Sequence, residues 1–584
     1  MNKTNINSSL TKKRNSLKNN YDVSALETHT LEPGYLSDVL KDKWRLWKKY
    51  RAIILYVQTG RGKNTFVEDV LVEEAIRGNF KIVIVSNRIA LDISIKRRIA
   101  KKLNIYKGYN DAALHDISDY GNIQIYSCQQ LKNVIKDNND LRDIKYAIFD
   151  EAHYFTSDAS FSKDNGELLQ SIPKVFSEAV RIYMSATIEQ VLPYIFNAEC
   201  SPMANHRWKN RHTMDSYYQK IQNNCIELSD EEKNCLVYES DFAHFGPTPI
   251  VYKMNHDYSH MELRFYTEDS EIENLLSSTK GKSIMFVTTK ERGKELSQMF
   301  KDSQYIDSET KNKEPEVMNK LINEEKFDKK ILITTSVFEN GCNIKDIRVK
   351  NVIIELVNPS SILQMAGRKR RCSNTDSFTL YLKAPSIEDL NKLKGQTKQI
   401  LQLIELSEEH PSQFMLEILN ENYFTAQIKN LVSVRDVRYK FDWLTKEVLQ
   451  ESIDYYDELV ELIESDGTEG YCQKIAEELF NKEFTTDMIL SSKETATQEL
   501  ICWINSYTYK KLNEETLKKF CSDFKKKYTA IRGNLKRDNR AKERQNGGHT
   551  WLRNRLEELE LPFMITHDGD KTYILLPEGQ LDKE

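Results

Sequence analysis

The sequence predicts an α/β protein with two doubly wound domains in tandem, followed by a mainly helical region. Three observations carry that expectation. Short runs of Ile, Val, Tyr and Phe alternate with longer amphipathic segments from about residue 35 to 385, and near-continuous apolar runs of that kind are how buried parallel strands read. The alternation breaks once, across 201–250, where Asn, His, Tyr and charged residues dominate. Beyond about 385 the β-rich runs give way to apolar positions at helical spacing.

The elements follow in chain order. Residues 1–34 read as a disordered basic arm, since the first 21 hold five Lys/Arg and no acid. From Tyr35 to Arg51 the pattern is helical. The first α/β domain, 35–200, contains the runs "AIILYV" from Ala52, "KIVIVS" from Lys81, "IQIYS" from Ile123, "YAIF" from Tyr146 and "RIYM" from Arg181. Residues 201–250 form a connector or insertion. The second domain, 251–385, has "MELRFY" from Met261, "SIMFV" from Ser283, "KILITT" from Lys330, "VKNVIIEL" from Val349 and "FTLYL" from Phe378. A helical domain spans 386–520, with Leu401, Leu403, Ile404 and Ile418 as core positions. The last segment, 521–584, is basic: eleven Lys/Arg and two acids lie between Lys525 and Arg555. A helix "HTWLRNRLEELEL" and a hairpin turning at Asp568-Gly569 close it. That order fits a winged-helix-like module, and equally a solvated helical tail with an unrelated hairpin.

Composition narrows the classes. The chain has 584 residues, a net charge of −4 and 29% charged residues, so any face for a polyanion must come from local clustering. Its nine cysteines show no C-x-x-C pair, and Cys200, Cys225 and Cys235, the closest set, lack metal-finger spacing. They read as reduced thiols. No apolar stretch reaches the ~18 residues of a membrane span and no signal peptide precedes the body, so a cytoplasmic protein without a membrane partner is expected.

The motifs give the chemistry. "TGRGKNT" follows the strand "AIILYV" and precedes the amphipathic "TFVEDVLVEEAI". A glycine-rich turn between strand and helix aims backbone amides at phosphate oxygens. Thr59, Gly60, Arg61, Gly62, Lys63, Asn64 and Thr65 therefore form the expected P-loop, with Lys63 neutralising the β and γ phosphates. The loop departs from the usual pattern: Val57 stands where the first glycine belongs, and Asn64 where a Ser or Thr would hold magnesium. The Asn64 amide oxygen can ligate the ion. Thr65 is turned ~100° around the helix and cannot simply take over. Asp150 and Glu151 end the strand "YAIFDE"; there Asp150 can hold Mg2+ through water and Glu151 can activate the attacking water. "YMSATI" ends another strand with Ser185 and Thr187, hydroxyls suited to relaying the γ-phosphate state. In the second domain "QMAGRKRR" places Gln364, Gly367, Arg368 and Arg371 on an expected helix, and two arginines aimed across a cleft stabilise transferring charge.

Taken in order, these motifs resemble the superfamily 2 helicases and translocases of the broad DEAD/DEAH-box group. The resemblance covers about 50–385: TGRGK as motif I, "SNRIAL" as Ia, "YSCQQL" near Ib, DEAH as II, SAT as III, "MFVTT" as IV, and the Asn340-Gly341 region and Q-x-x-G-R-x-x-R as V and VI. It implies two RecA-like lobes clamping ATP with Mg2+. Lys63, Asp150, Glu151, Arg368 and Arg371 would bind or hydrolyse the nucleotide, Gly341 and Gln364 would sit near the cleft, and Ser185 and Thr187 would couple hydrolysis to lobe movement. Arg88, Ser127, Thr288 and Thr289 are the candidates for gripping a strand. Asn343 stands where motif V often has Asp, and no adenine-reading Q motif is visible upstream.

The expected activity is ATP-dependent helicase or translocase action, with DNA favoured over RNA. An RNA-dependent ATPase is the alternative within the same class. An ATP-gated nucleic-acid-binding switch, its hydrolysis weakened by Asn64, is the alternative outside it. The Lys/Asn/Ile-rich composition points to a bacterium or its mobile elements, with protein partners in replication, repair or phage defence.

Overall fold

The computed structural model describes residues 26–200 and 249–575, apart from 105–116, 310–320, 336–342, 415–430, 491–499, 533–548 and shorter gaps between them. Two parallel sheets dominate it. The first holds β1 (Glu27–Leu31), β2 (Ala52–Tyr56), β3 (Lys81–Ser86), β4 (Ile123–Ser127), β5 (Ile144–Asp150), β6 (Val180–Ser185) and β7 (Ile250–Met254). Their order is β1-β7-β2-β6-β5-β3-β4, with every pairing parallel. The second holds β8 (Met261–Tyr266), β9 (Lys282–Phe286), β10 (Ser303–Ile306), β11 (Ile331–Thr334), β12 (Val349–Ile354) and β13 (Phe378–Lys383), in the order β10-β11-β9-β12-β13-β8. All of its pairings are parallel too.

Side chains alternate along β2 between two cores, Ile53 and Leu55 to one face and Ala52, Ile54 and Tyr56 to the other. Both faces are thus covered, as parallel crossovers require. Every strand seen as an apolar run is present.

The edges differ from expectation. β1 falls inside the segment expected as a disordered arm, and β7 falls at the supposed start of the second domain although it joins the first sheet. β7 pairs with β1 on one side and β2 on the other, so the first lobe is closed by chain on both sides of the 201–248 segment. The helix expected over Tyr35–Arg51 is a short helix, Leu36–Leu40, and a 3-10 turn, Lys43–Leu46. Lys41 breaks it with a positive φ of 47°, and Trp44 and Trp47 turn into the core instead.

The C-terminal region begins with helix Ile387–Glu409, opened by a Ser386 capping box. The antiparallel pair β14 (Val432–Arg435) and β15 (Arg438–Phe441) follows. The helix Trp443–Phe480, bent at Gly467, then crosses both lobes. Its start, with Trp443, Leu444 and Val448, packs in the first lobe's core; Leu459, Tyr471, Cys472 and Ile475 pack in the second's. A separate core gathers Phe520, Phe524 and Tyr528 of helix Glu514–Arg532, Leu552 and Leu556 of helix His549–Glu558, and Ile565 of the hairpin β16 (Met564–Asp568) and β17 (Lys571–Leu575). Among the described residues no helix is long and apolar enough to cross a membrane.

Candidate ATP site between the lobes

The sheet order sets the site. β2, β6 and β5 are neighbours, so the loops at their carboxyl ends meet at one edge, where open α/β sheets bind ligands. Register places Tyr56 beside Ser185 and Asp150 beside Met184. The loop after β2 bends through Gly60 and Gly62, with φ of 87° and 80°, a conformation that side chains with a Cβ disfavour. It leads into the helix Lys63–Phe66, which continues through a π-turn, Val67–Leu71.

Lys63 is buried and its ammonium donates to the Val57 carbonyl at 2.9 Å. Burial pushes its pKa down, while Glu151 and Asp150 oppose that shift. Asp150 is buried and accepts the Glu151 amide at 3.0 Å. Burial and the adjacent Glu151 charge push its carboxyl up to about 7. For Glu151, burial would raise the pKa, but Lys63 and His153 outweigh it and hold the group well below the usual range. Glu151 also adopts a positive φ of 52°, the sort of backbone strain that gathers at functional sites.

A buried chain of polar contacts leads away from these carboxylates. His153 Nδ1 is 3.3 Å from Glu151 Oε2 and 3.0 Å from Ser185 Oγ. Ser185 Oγ accepts the Thr187 amide at 2.9 Å. Thr187 Oγ1 accepts from Gln364 Nε2 of the second lobe at 3.0 Å, and Gln364 Oε1 accepts from Arg368 Nη2 at 2.9 Å. Four residues thus connect Glu151 to Arg368 across the cleft. Only the histidine of "DEAH" signalled that His153 would be part of it.

The remaining candidates are placed as follows. Arg61 pairs with Asp257 at 3.3 Å, and Gln58 exchanges two hydrogen bonds with the Asp257 backbone, so the interlobe connection is fastened to the P-loop. Thr59 faces Gly367 of the second lobe. Asn64 is half-buried and Thr65 exposed. Exposed Tyr35 lies against Gly62. Arg371 is exposed, its guanidinium donating to the Ser373 and Asn374 carbonyls. Ser127 and Thr289 each cap a helix, accepting the amides of Gln130 and Arg292 at 3.1 Å; Thr288 is exposed beside the latter. Arg88 and Gly341 lie outside the described residues.

Whether Mg2+ suits this donor set can be judged from its chemistry. Asp150 and Glu151 are two adjacent carboxylates, and among the described residues buried Glu151 Oε2 has only the 3.3 Å approach of His153 beside it. That excess of oxygen donors fits a hard divalent cation. No group of three or more His, Cys, Asp or Glu among the described residues could hold a metal alone, so the ion would be shared with substrate phosphates.

Comparison with known families is decisive at this point. The DEAD/DEAH box helicase profile matches residues 41–193, and the helicase conserved C-terminal domain profile matches 268–373. The chain carries the two domains of a superfamily 2 helicase. It is accordingly an ATP-hydrolysing enzyme of nucleic acid. No curated protein matches the helicase. Similar solved structures include S. cerevisiae Dbp5 bound to RNA and ADP BeF3, at 15% identity and a TM-score of 0.37, covering 60% of this chain and 83% of that one. Another is a DEAD box protein from the hyperthermophile Methanococcus jannaschii, at 18% identity and a TM-score of 0.31, covering 60% and 86%. The second lobe of the helicase meets the first through Gly367, beside Thr59 of the P-loop, and Gln364, on Thr187, both within its matched segment.

Proposed function

We propose that this helicase uses ATP hydrolysis between its lobes to move along a nucleic-acid strand, and that the strand is DNA. The observation that carries the coupling is the buried connection from Glu151 through His153, Ser185, Thr187 and Gln364 to Arg368. It gives the second lobe a relayed connection to the hydrolytic carboxylates, so loss of the γ phosphate is felt in the lobe that must swing.

In the reaction, Lys63 and the P-loop amides hold the phosphates. Asp150, with Asn64, would hold Mg2+, which when bound neutralises phosphate charge. Glu151 orients water and takes its proton as the oxygen attacks the γ phosphorus and the bond to the β-phosphate oxygen breaks. The incoming phosphate charge raises the basicity of Glu151, which the surrounding cations hold low in the free enzyme. Tyr35, an exposed ring against the loop, offers the base a stacking surface.

Support for DNA comes from the C-terminal module. A helix followed by a two-stranded hairpin on one core has the element order of a winged helix, a shape that docks in a duplex groove. ATP turnover with single-stranded DNA, duplex DNA or RNA as activator tests the proposal. DNA should stimulate turnover tenfold or more over RNA. Equal or greater stimulation by RNA overturns the DNA assignment, and ATP binding without turnover on any strand makes the protein a switch.

A further inference from the structure

The motif spacing Q-x-x-G-R-x-x-R nominates Arg368 and Arg371 as a pair, and on a helix residues three apart would indeed share a face. The backbone does otherwise. Helix Pro359–Ala366 stops at Gly367. Beyond it the chain runs alongside Ile344 as a parallel bridge: the Ile344 amide donates to the Arg368 carbonyl at 2.8 Å, and the Arg370 amide to the Ile344 carbonyl at 2.9 Å. In extended backbone the period is two, so residues 368 and 370 share one face while 369 and 371 share the other.

The side chains follow that rule. Lys369 is buried against Asp376 at 2.5 Å, and Arg371 is spent on the carbonyls of Ser373 and Asn374. Arg370 turns to the cleft. Its Nη1 stands 3.3 Å from where a Cβ on Gly60 would be, at the P-loop itself. Its Nε donates to Asn343 Oδ1 at 2.8 Å.

From this geometry we infer that Arg370, not Arg371, is the second guanidinium that meets the triphosphate, and that Asn343 is the residue that positions it. Asn343 aims the guanidinium without neutralising it, which an aspartate at that position would do. Arg370 then faces Arg368 and Lys63 with no carboxylate bonded to it among the described contacts, and Glu151 and Glu325 are the acids whose field it feels. Crowding cations together is unfavourable until an anion arrives, and a triphosphate is the anion that matches the P-loop beside it. As water adds to the γ phosphorus and the β–γ bridging bond breaks, Arg370 stabilises the charge on the equatorial and leaving oxygens.

The inference rests on the ATPase reading, and the experiment separates the two. The measurements are steady-state ATP turnover at saturating DNA, and binding of ATP and of ADP–aluminium fluoride to the full chain. Wild type should turn over and Lys63→Ala should not; wild type inactive on every strand sinks the ATPase reading itself. Given an active wild type, Arg370→Ala should lower kcat at least 100-fold and lose affinity for ADP–aluminium fluoride far more than for ATP. Arg371→Ala should lose less than tenfold in kcat. Should Arg370→Ala fold poorly, Asn343→Asp provides the test, with an expected kcat loss of tenfold or more at nearly unchanged ATP affinity. The opposite ranking, with Arg371→Ala collapsing and both Arg370→Ala and Asn343→Asp within tenfold of wild type, overturns the inference and leaves the ATPase reading intact.

Discussion

Asn64 shows how one side chain sets the demands of a site. It follows Lys63 at the head of the P-loop helix, half-buried, where a hydroxyl would ordinarily contact the metal. A neutral amide oxygen can ligate a hard cation, but it is bulkier than a hydroxyl and must be held at a fixed angle. Asn64→Thr is therefore expected to lower the Mg2+ concentration for half-maximal ATPase about threefold or more, with nucleic-acid affinity unchanged; a Mg2+ titration of both forms reads this directly. Unchanged or increased demand would mean that the loop has adapted to asparagine. At this scale the sequence was only partly legible. Lys63, Asp150 and Glu151 could be read because each lies at or just beyond the end of a strand, and strand ends are fixed by apolar runs. Arg370 could not, because its direction depends on where helix Pro359–Ala366 stops and on the bridge that pairs Lys369 with Ile344, 25 residues earlier.

The element that most changes the picture is the helix Trp443–Phe480. Its apolar positions read as ordinary core spacing, yet one end belongs to each lobe. The first-lobe end is fastened at Gly166, whose amide donates to Asp442 at 2.6 Å, while Thr445 donates to the Ala159 carbonyl and Tyr194 to Glu451. A Cβ on Gly166 would stand 2.4 Å from Asp442 Oδ1 and 2.6 Å from Trp443 Nε1, with no room to give. Overpacking of that kind costs about 1–3 kcal/mol. Gly166→Ala should thus lower the thermal midpoint and raise amide exchange around 159–166 and 442–451, while the second lobe stays protected. Uniform exchange across the chain would show that this contact is not local. The strands, by contrast, were legible wherever an apolar run announced them. β1 and β7 escaped because each depends on the other across more than 200 residues of chain, and β1 exposes four of its five residues.

For the whole molecule, the fold class and the order of the motifs were legible because parallel strands and nucleotide loops both leave local signals. How the lobes meet was not, since Thr187 to Gln364 and Gly60 to Arg370 are contacts between distant segments. Those contacts carry the central claim: the hydrolytic carboxylates of one lobe and the guanidiniums of the other form a single ATPase site. Glu151→Gln tests it most directly, assayed for ATP turnover at a saturating concentration of whichever nucleic acid stimulates wild type and for ATP binding under the same conditions. Removing only the proton acceptor should abolish turnover, by about 100-fold or more, and leave ATP bound as tightly as in wild type. Near wild-type turnover in Glu151→Gln, or turnover surviving in Lys63→Ala, would contradict the account.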